Sequence, residues 1–140
     1  MKGKFFIDTN IFVYSFDNTD ERKQSISRRL ISDALEKHTG IISCQVVQEF
    51  LNIALNKFKN KIKPEDAKEY LTAVLASLCE IFPGMNFYLK SLEIKAATGF
   101  SFYDSLIVAA AIQGNCTILY TEDLQHNRNI GDLKIINPFL

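Results

Sequence analysis

Short apolar runs and longer amphipathic segments alternate along the chain. Brief runs rich in β-branched and aromatic residues are typical of buried strands. They occur at 4–7, 40–44, 79–82 and 116–121, with a weaker one at 133–137. Between them, apolar positions recur at helical spacing. The helices this predicts span 20–38 (closed by Gly40), about 47–58, 65 to about 78 after Pro64, a segment capped by Asn86 and ending at Gly99, and a segment capped by Ser101 and stopping at Gly114.

Strands that alternate with helices favour a parallel sheet, because each parallel connection must cross back over the sheet. We therefore expect an α/β fold, a three-layer sandwich with a central, mainly parallel sheet of four or five strands flanked by helices. The chain has 140 residues, 47% of them hydrophobic, which is the size of one ordinary domain. We expect a single domain over 1–140.

Charge and cysteine content narrow the functional classes. Sixteen basic and 16 acidic residues cancel, so any nucleic-acid surface must be local. Three widely spaced cysteines in apolar surroundings (Cys44, Cys79, Cys116) favour reduced core thiols and a cytoplasmic location. The longest uncharged apolar run, around SLIVAAAI, is much shorter than the roughly 20 residues of a spanning helix. Neither export nor membrane insertion is expected.

Four acids stand beside or within apolar elements. Asp8 directly follows the first predicted strand and Asp123 follows the fourth. The carboxyl ends of parallel strands meet at one edge of a sheet, where ligands bind. Glu49 lies early in the helix after the second strand, and Asp104 lies in the first turn of the most apolar helix. We expect these four side chains to gather at this edge.

Each acid also has a simpler structural interpretation. Asp8 or Asn10 is suited to cap a helix, and Ser101 with Asp104 fits a capping box. Glu49 also fits an ordinary solvated helix position. The fourth acid is open between Asp123 and its neighbour Glu122, since either fits a turn. Their joint placement at the predicted sheet edge favours a shared function over separate caps.

A cluster of carboxylates points to a cation. Two carboxylates about 4 Å apart repel each other by about 4 kcal/mol at an effective dielectric near 20. A divalent ion removes this conflict, and oxygen ligands without a His or Cys cluster favour Mg²⁺ or Mn²⁺. Such an ion orients a phosphodiester and activates water. The residues therefore predict metal-assisted phosphodiester hydrolysis.

Several segments together resemble one family. FFIDTNIFVY, CQVVQEFLNIA, SFYDSLIVAAAIQGNCTILYTEDL and INPF are similar, in order and spacing, to motifs of the PIN domain family, especially its prokaryotic branch of VapC-type toxin ribonucleases. The resemblance implies Mg²⁺- or Mn²⁺-dependent cleavage of single-stranded RNA, a homodimer, and inhibition by an antitoxin protein. By the same resemblance the metal-binding acids are Asp8, Glu49, Asp104 and Asp123, with Thr9, Asn10 and Thr121 as supporting residues.

Some alternatives stay open at this point. One is a housekeeping or structure-selective nuclease with the same acidic metal site, and another is a non-catalytic relative that binds RNA or protein. Many family members carry a further acid or Phe shortly after the fourth acid, where this chain has Gln125 and His126, so the number of ions is open. The alternating lysines of 57–63 fit either a phosphate-binding rail or a solvated connector.

Overall fold

The computed structural model describes residues 3–140, which contain six strands and seven α-helices. The strands are β1 (Lys4–Ile7), β2 (Gly40–Ser43), β3 (Cys79–Ile81), β4 (Cys116–Tyr120), β5 (Asn129–Ile130) and β6 (Leu133–Ile136). The helices are α1 (Thr9–Tyr14), α2 (Glu21–Lys37), α3 (Cys44–Asn56), α4 (Pro64–Tyr70), α5 (Ala76–Leu78), α6 (Met85–Thr98) and α7 (Phe102–Gln113). A π-helical segment, Leu71–Leu75, joins α4 to α5.

The strands form one sheet in the order β3-β2-β1-β4-β6-β5. Every neighbouring pair is parallel except β5 with β6. The prediction of a mainly parallel sheet flanked by helices is confirmed, but the sheet has six strands and not four or five. The additional strand, β5, has only two residues, too few to show a period, and it pairs with β6 across a tight turn at Gly131, whose φ is 58°.

The strand order determines which helices cover each face of the sheet and where its ligand-binding edge lies. The chain moves from β1 outward to β2 and β3, then returns past β1 to β4 on its other side. Because parallel crossovers are right-handed, helices α1 to α5 belong to one face of the sheet, and α6 and α7 belong to the other. The direction of travel reverses between β1 and β4. This is the switch point at which α/β sheets bind ligands, outside the carboxyl ends of the strands.

The central strands β1, β2 and β4 are mainly apolar, and many of their side chains are buried. Phe6 and Ile7 of β1, Ile41 of β2 and Leu119 of β4 are fully buried, as expected for parallel strands covered on both faces. In α7 all residues from Ser105 to Ala111 are buried, which explains why that helix is apolar nearly all round. No helix within residues 3–140 combines the length and the apolar composition needed to cross a membrane.

Two residues predicted to close or cap a helix, Gly40 and Asn86, do not do so, for identifiable reasons. Helix α2 ends at Lys37, and its C-cap His38 adopts the left-handed conformation (φ 55°), while Gly40 already belongs to β2. Gly40 is needed for close packing, because a Cβ there would lie 2.3 Å from the Ala34 Cβ. Helix α6 is capped by Gly84 in extended conformation, so Asn86 lies inside its first turn. The predicted Ser101 cap is confirmed, since its Oγ accepts the Asp104 amide at 3.1 Å.

The three cysteines are free thiols, as predicted. Burial raises the pKa of Cys116 to about 12. Burial also raises the pKa of Cys79 to about 11, with a further contribution from neighbouring Cys44. Since the thiolate is the reactive form, Cys79 and Cys116 are structural at neutral pH.

Candidate active site

Asp8 is a buried carboxylate at the carboxyl end of β1, with 6% of its surface exposed. Its backbone amide continues the sheet by donating to the Tyr120 carbonyl at 3.0 Å. Its Oδ1 accepts the Thr9 amide at 2.7 Å, so Asp8 does cap helix α1. Its Oδ2 accepts the Thr121 hydroxyl at 2.7 Å. The capping interpretation is therefore correct but incomplete, because the second oxygen is held by a residue 113 positions away.

Thr121 connects the ends of β1 and β4. It is fully buried, and its amide donates to the Ile136 carbonyl at 3.0 Å, which fixes its position beside the sheet. Its Oγ donates to Asp8 and accepts the Asp123 amide at 3.1 Å. One hydroxyl thus orders both the first acid and the turn that carries the fourth.

Thr9 and Gln45 hold Glu49 from two sides. The buried Thr9 hydroxyl donates to Glu49 Oε1 at 2.6 Å. The Gln45 amide, one helical turn before Glu49 in α3, lies 3.3 Å from Glu49 Oε2 and 3.3 Å from the Tyr103 carbonyl. Glu49 is half-buried and engaged at both oxygens, so a freely solvated position is excluded. Gln45 joins α3 to the beginning of α7.

Asp104 and Asp123 are positioned through their backbones. The Asp104 amide is bound by the Ser101 cap and the Asp123 amide by Thr121. Asp104 is half-buried and Asp123 is exposed. Within residues 3–140, neither carboxylate is held by a side-chain hydrogen bond. Their backbones are ordered, and their carboxylates are left available at the edge.

The electrostatics tie three of the four acids together. The pKa of Asp8 is raised from 3.8 to about 7, chiefly because burial disfavours its charged form. The hydrogen bonds from Thr121 and Thr9 lower this pKa, and the charges of Asp123 and Glu49 raise it. Glu49 and Asp123 are therefore each within electrostatic range of Asp8. Within residues 3–140, the hydrogen-bonded link from this group toward Asp104 is the bond from Gln45 to the carbonyl of the adjacent Tyr103.

The donor set fits a hard divalent cation. Its members are carboxylate and hydroxyl oxygens, which Mg²⁺ and Mn²⁺ prefer, and a cation would offset the repulsion that Asp8 experiences. Over the described span, residues 3–140, no three His, Cys, Asp or Glu side chains form a ready-made metal-binding group. The structure thus brings the acids to one edge without closing all four around a common point.

Glu122 differs from its neighbour Asp123 in the side chains that it contacts. Its carboxylate accepts a hydrogen bond from the Tyr14 hydroxyl and forms an ion pair with Lys23, whose Nζ lies 3.2 Å from Oε2. The Lys23 ammonium also lies over the Tyr14 ring, 4.5 Å from its centroid. Glu122 is committed to this contact, and Asp123 is the acid that acts on Asp8. Sequence analysis missed the contact because its members lie 99 and 108 residues apart.

Other residues singled out by the sequence lie outside this cluster. His126 Nδ1 accepts the Asn137 amide at 2.9 Å, so the imidazole orders the chain after β6. Asn10 is half-buried in α1. The lysines that follow α3 are exposed. At 1.5 Å per helical residue, Lys57 lies about 12 Å beyond Glu49 along α3, which favours the solvated-connector interpretation.

Comparisons with known proteins agree with this architecture. A family model described as the PIN domain matches residues 5–130. Among solved structures, a toxin–antitoxin complex from Klebsiella pneumoniae aligns with a TM-score of 0.66 and 18% identity, covering 96% of this chain and 98% of that one. VapC20 of Mycobacterium tuberculosis, described as a sarcin–ricin loop cleaving toxin, aligns with a TM-score of 0.63 and 16% identity, covering 86% of this chain and 90% of that one. VapBC2 of Rickettsia felis, bound to promoter DNA, aligns with a TM-score of 0.61 and 23% identity, covering 94% of this chain and 96% of that one. A search of curated proteins finds no match.

Proposed function

Because this chain belongs to the PIN domain family, we propose that it is a metal-dependent endoribonuclease that cleaves single-stranded RNA as the toxin of a toxin–antitoxin pair. The family supports nuclease activity. The similar structures include a toxin described as cleaving the sarcin–ricin loop, a toxin–antitoxin complex and a VapBC2 structure with promoter DNA. The proposal transfers these properties to this chain.

One observation carries the proposal. Asp8 is a buried carboxylate at the switch point of the sheet, with a pKa near 7 and two other acids acting on it. Such an arrangement is unfavourable for the fold alone, because the charged form is both desolvated and repelled. Perturbed carboxyl groups at a ligand-binding edge are characteristic of catalytic sites.

The chain's own residues have distinct parts in this proposal. Asp8, Glu49, Asp104 and Asp123 would hold Mg²⁺ or Mn²⁺. When bound, the ion would orient the phosphodiester, activate water and offset charge on the leaving oxygen. Thr121 and Thr9 orient Asp8 and Glu49 through the hydrogen bonds described above. Asn10, one residue further along α1, is a supporting residue by position.

The test is cleavage of a labelled single-stranded RNA by purified protein. We expect cleavage with Mn²⁺ or Mg²⁺ and none with excess chelator. Asp8→Asn and Asp104→Asn should each lower the rate by about 100-fold or more, with circular dichroism unchanged. Asp132→Asn is the matched control, since Asp132 is exposed at the turn between β5 and β6. Cleavage by both site variants at the wild-type rate would refute the catalytic assignment.

The toxin role has a separate test in cells. Induced expression should arrest growth, and co-expression of the small protein encoded beside it should restore growth. The Asp8→Asn variant should not arrest growth at an equal protein level. Normal growth of cells that contain active enzyme would favour a housekeeping nuclease.

We also propose a homodimer, formed through an apolar stripe on α6. Met85, Leu89 and Leu92 recur at helical spacing and are 78, 61 and 52% exposed, which is typical of an interaction surface. Sedimentation should show a dimer that Leu89→Lys dissociates. Leu140→Lys, at a leucine outside this stripe that is 80% exposed, should leave the dimer intact. A monomeric wild-type protein would refute this interface.

A further inference from the structure

A cavity of about 260 Å³ lies beside the acids, between the end of β2, the beginning of α3 and the helices of the other face. Its lining includes Ser43, Gln45, Gln48, Tyr88, Phe102 and Tyr103. Gln45 belongs to the cavity and to the acid cluster, since its amide bonds both Glu49 and the Tyr103 carbonyl. A ligand group in the cavity would therefore sit next to the proposed reaction centre.

The lining of this cavity is aromatic and uncharged. Two adjacent aromatic pairs line it: Phe102 with Tyr103, whose ring centroids are 5.7 Å apart, and Phe87 with Tyr88, at 5.8 Å. All the lining residues are neutral. Tyr103 is 66% exposed, so much of its ring is available to a ligand. Flat apolar surfaces without charge suit a planar neutral ring and do not attract a phosphate or a charged side chain.

Ser43 adds a polar group that lacks a partner. It is 4% exposed and lines the cavity. It stands at the N-cap position of α3 but makes no capping bond. Its Oγ has no hydrogen-bond partner among the residues that the structure describes. Buried hydroxyls are normally paired. The Ser43 Oγ is itself covered from solvent, so only a ligand group that reaches the floor of the cavity would pair with it.

We propose that this cavity is a nucleobase subsite, which holds one base of the single-stranded RNA adjacent to the phosphate at the acids. The base would stack on Tyr103 and Phe102, as bases do on aromatic platforms. The Gln48 amide, the Gln45 side-chain carbonyl and, at the floor of the cavity, the Ser43 hydroxyl would bind its polar edge. This inference builds on the proposed function, since it names the part of the substrate that the cavity recognises.

The first test measures binding without cleavage. Fluorescein-labelled octamers of A, C, G or U are titrated into wild-type protein in excess chelator and followed by anisotropy. We expect one of the four to bind more tightly than the others. Tyr103→Ala should weaken its binding by about tenfold or more. The control is Phe82→Ala, because Phe82 is also aromatic, is 64% exposed and does not line the cavity.

The second test uses the unpaired hydroxyl. Ser43→Ala should leave the melting temperature unchanged or raise it, because the lost hydroxyl has no partner in the free protein. The same change should reduce the preference for the favoured octamer by about three- to tenfold. A purely structural serine would not alter this preference.

The outcomes separate the subsite from the nuclease proposal. Equal binding of all four octamers by wild type and both variants would overturn the subsite, even if the protein cleaves RNA. Loss of binding to a partner protein by Tyr103→Ala, with octamer binding intact, would also overturn it in favour of a protein-docking site. A base preference that both variants reduce supports the subsite, even if Mn²⁺ produces no cleavage and the nuclease proposal fails.

Discussion

The acidic edge has two parts that are built differently, which we call buried and exposed after Asp8 and Asp123. The half-buried Glu49 and Asp104 are assigned to them by how their carboxylates are held. Asp8 and Glu49 are held at both carboxylate oxygens by Thr9, Thr121 and Gln45. Asp104 and Asp123 are ordered only through their backbone amides. The hydrogen bonds of the buried part fix the positions of its carboxylates before any ligand binds. The exposed part leaves carboxylates that a cation or substrate can draw inward.

This difference determines how strongly each part affects the free energy of unfolding. Desolvation and repulsion act on Asp8, while Asp123 remains in contact with water. Removing charge from the buried part should therefore change stability strongly. The same change in the exposed part should be visible only when a cation is present.

The largest effect is expected at Asp8. Its folded pKa of about 7 lies above the reference value of 3.8, so the folded state retains a proton that the unfolded state loses between these values. The free energy of unfolding of wild type should fall as pH rises from about 4 to 7. Asp8→Asn carries no charge and should become the more stable protein by up to about 4 kcal/mol at pH 8.

Urea unfolding in chelator, at a series of pH values from 4 to 8, measures this difference. Asp132→Asn serves as the exposed control and should follow wild type throughout. A stability gap between Asp8→Asn and wild type that does not grow with pH would mean that Asp8 is not desolvated as described.

Thr121→Val should have the next largest effect. Valine preserves the shape but leaves the Asp8 Oδ2 and the Asp123 amide without their partner. We expect a loss of about 1–3 kcal/mol in the free energy of unfolding. The loss should be greater at pH 8 than at pH 4, since the missing bond favours ionised Asp8. Thr117→Val, at an exposed threonine of β4, should change little.

Thr9→Val tests whether Glu49 belongs to the buried part. The lost bond from Thr9 to Glu49 should cost about 1 kcal/mol. A double-mutant cycle with Glu49→Gln isolates the pair, and a coupling energy of about 0.5 kcal/mol or more would place Glu49 with Asp8. Independent, additive effects would instead place it in the exposed part.

The smallest effect on the metal-free protein is expected at Asp123. In chelator, Asp123→Asn should change the free energy of unfolding by about 0.5 kcal/mol or less, as surface substitutions usually do. With Mn²⁺ at about 100 times its Kd, wild type should gain about 2.7 kcal/mol, and the variant should gain less. An equal gain in both proteins would remove Asp123 from the proposed cation site.

Much of the fold was predictable because its signals are local. The strand at Lys4–Ile7, the cap at Ser101 and the uniformly apolar α7 each depend on residues within one or two turns. Gly40 shows where this reasoning ends. A glycine near a helix end suggests a cap, whereas here it makes room for Ala34 and Phe5. Its role depends on packing between elements, which no local pattern expresses.

The sequence by itself determined the order of the main strands and helices and the mainly parallel sheet, and it predicted that four acids lie near one edge. These follow from periodicity, capping chemistry and the direction of parallel strands. Only the tertiary structure decided that Asp8 is the perturbed carboxyl, that Glu122 belongs to Lys23, and that an aromatic cavity adjoins Glu49 through Gln45. Burial and hydrogen-bond partners decide these properties, and several of the partners come from 40 to 113 residues away.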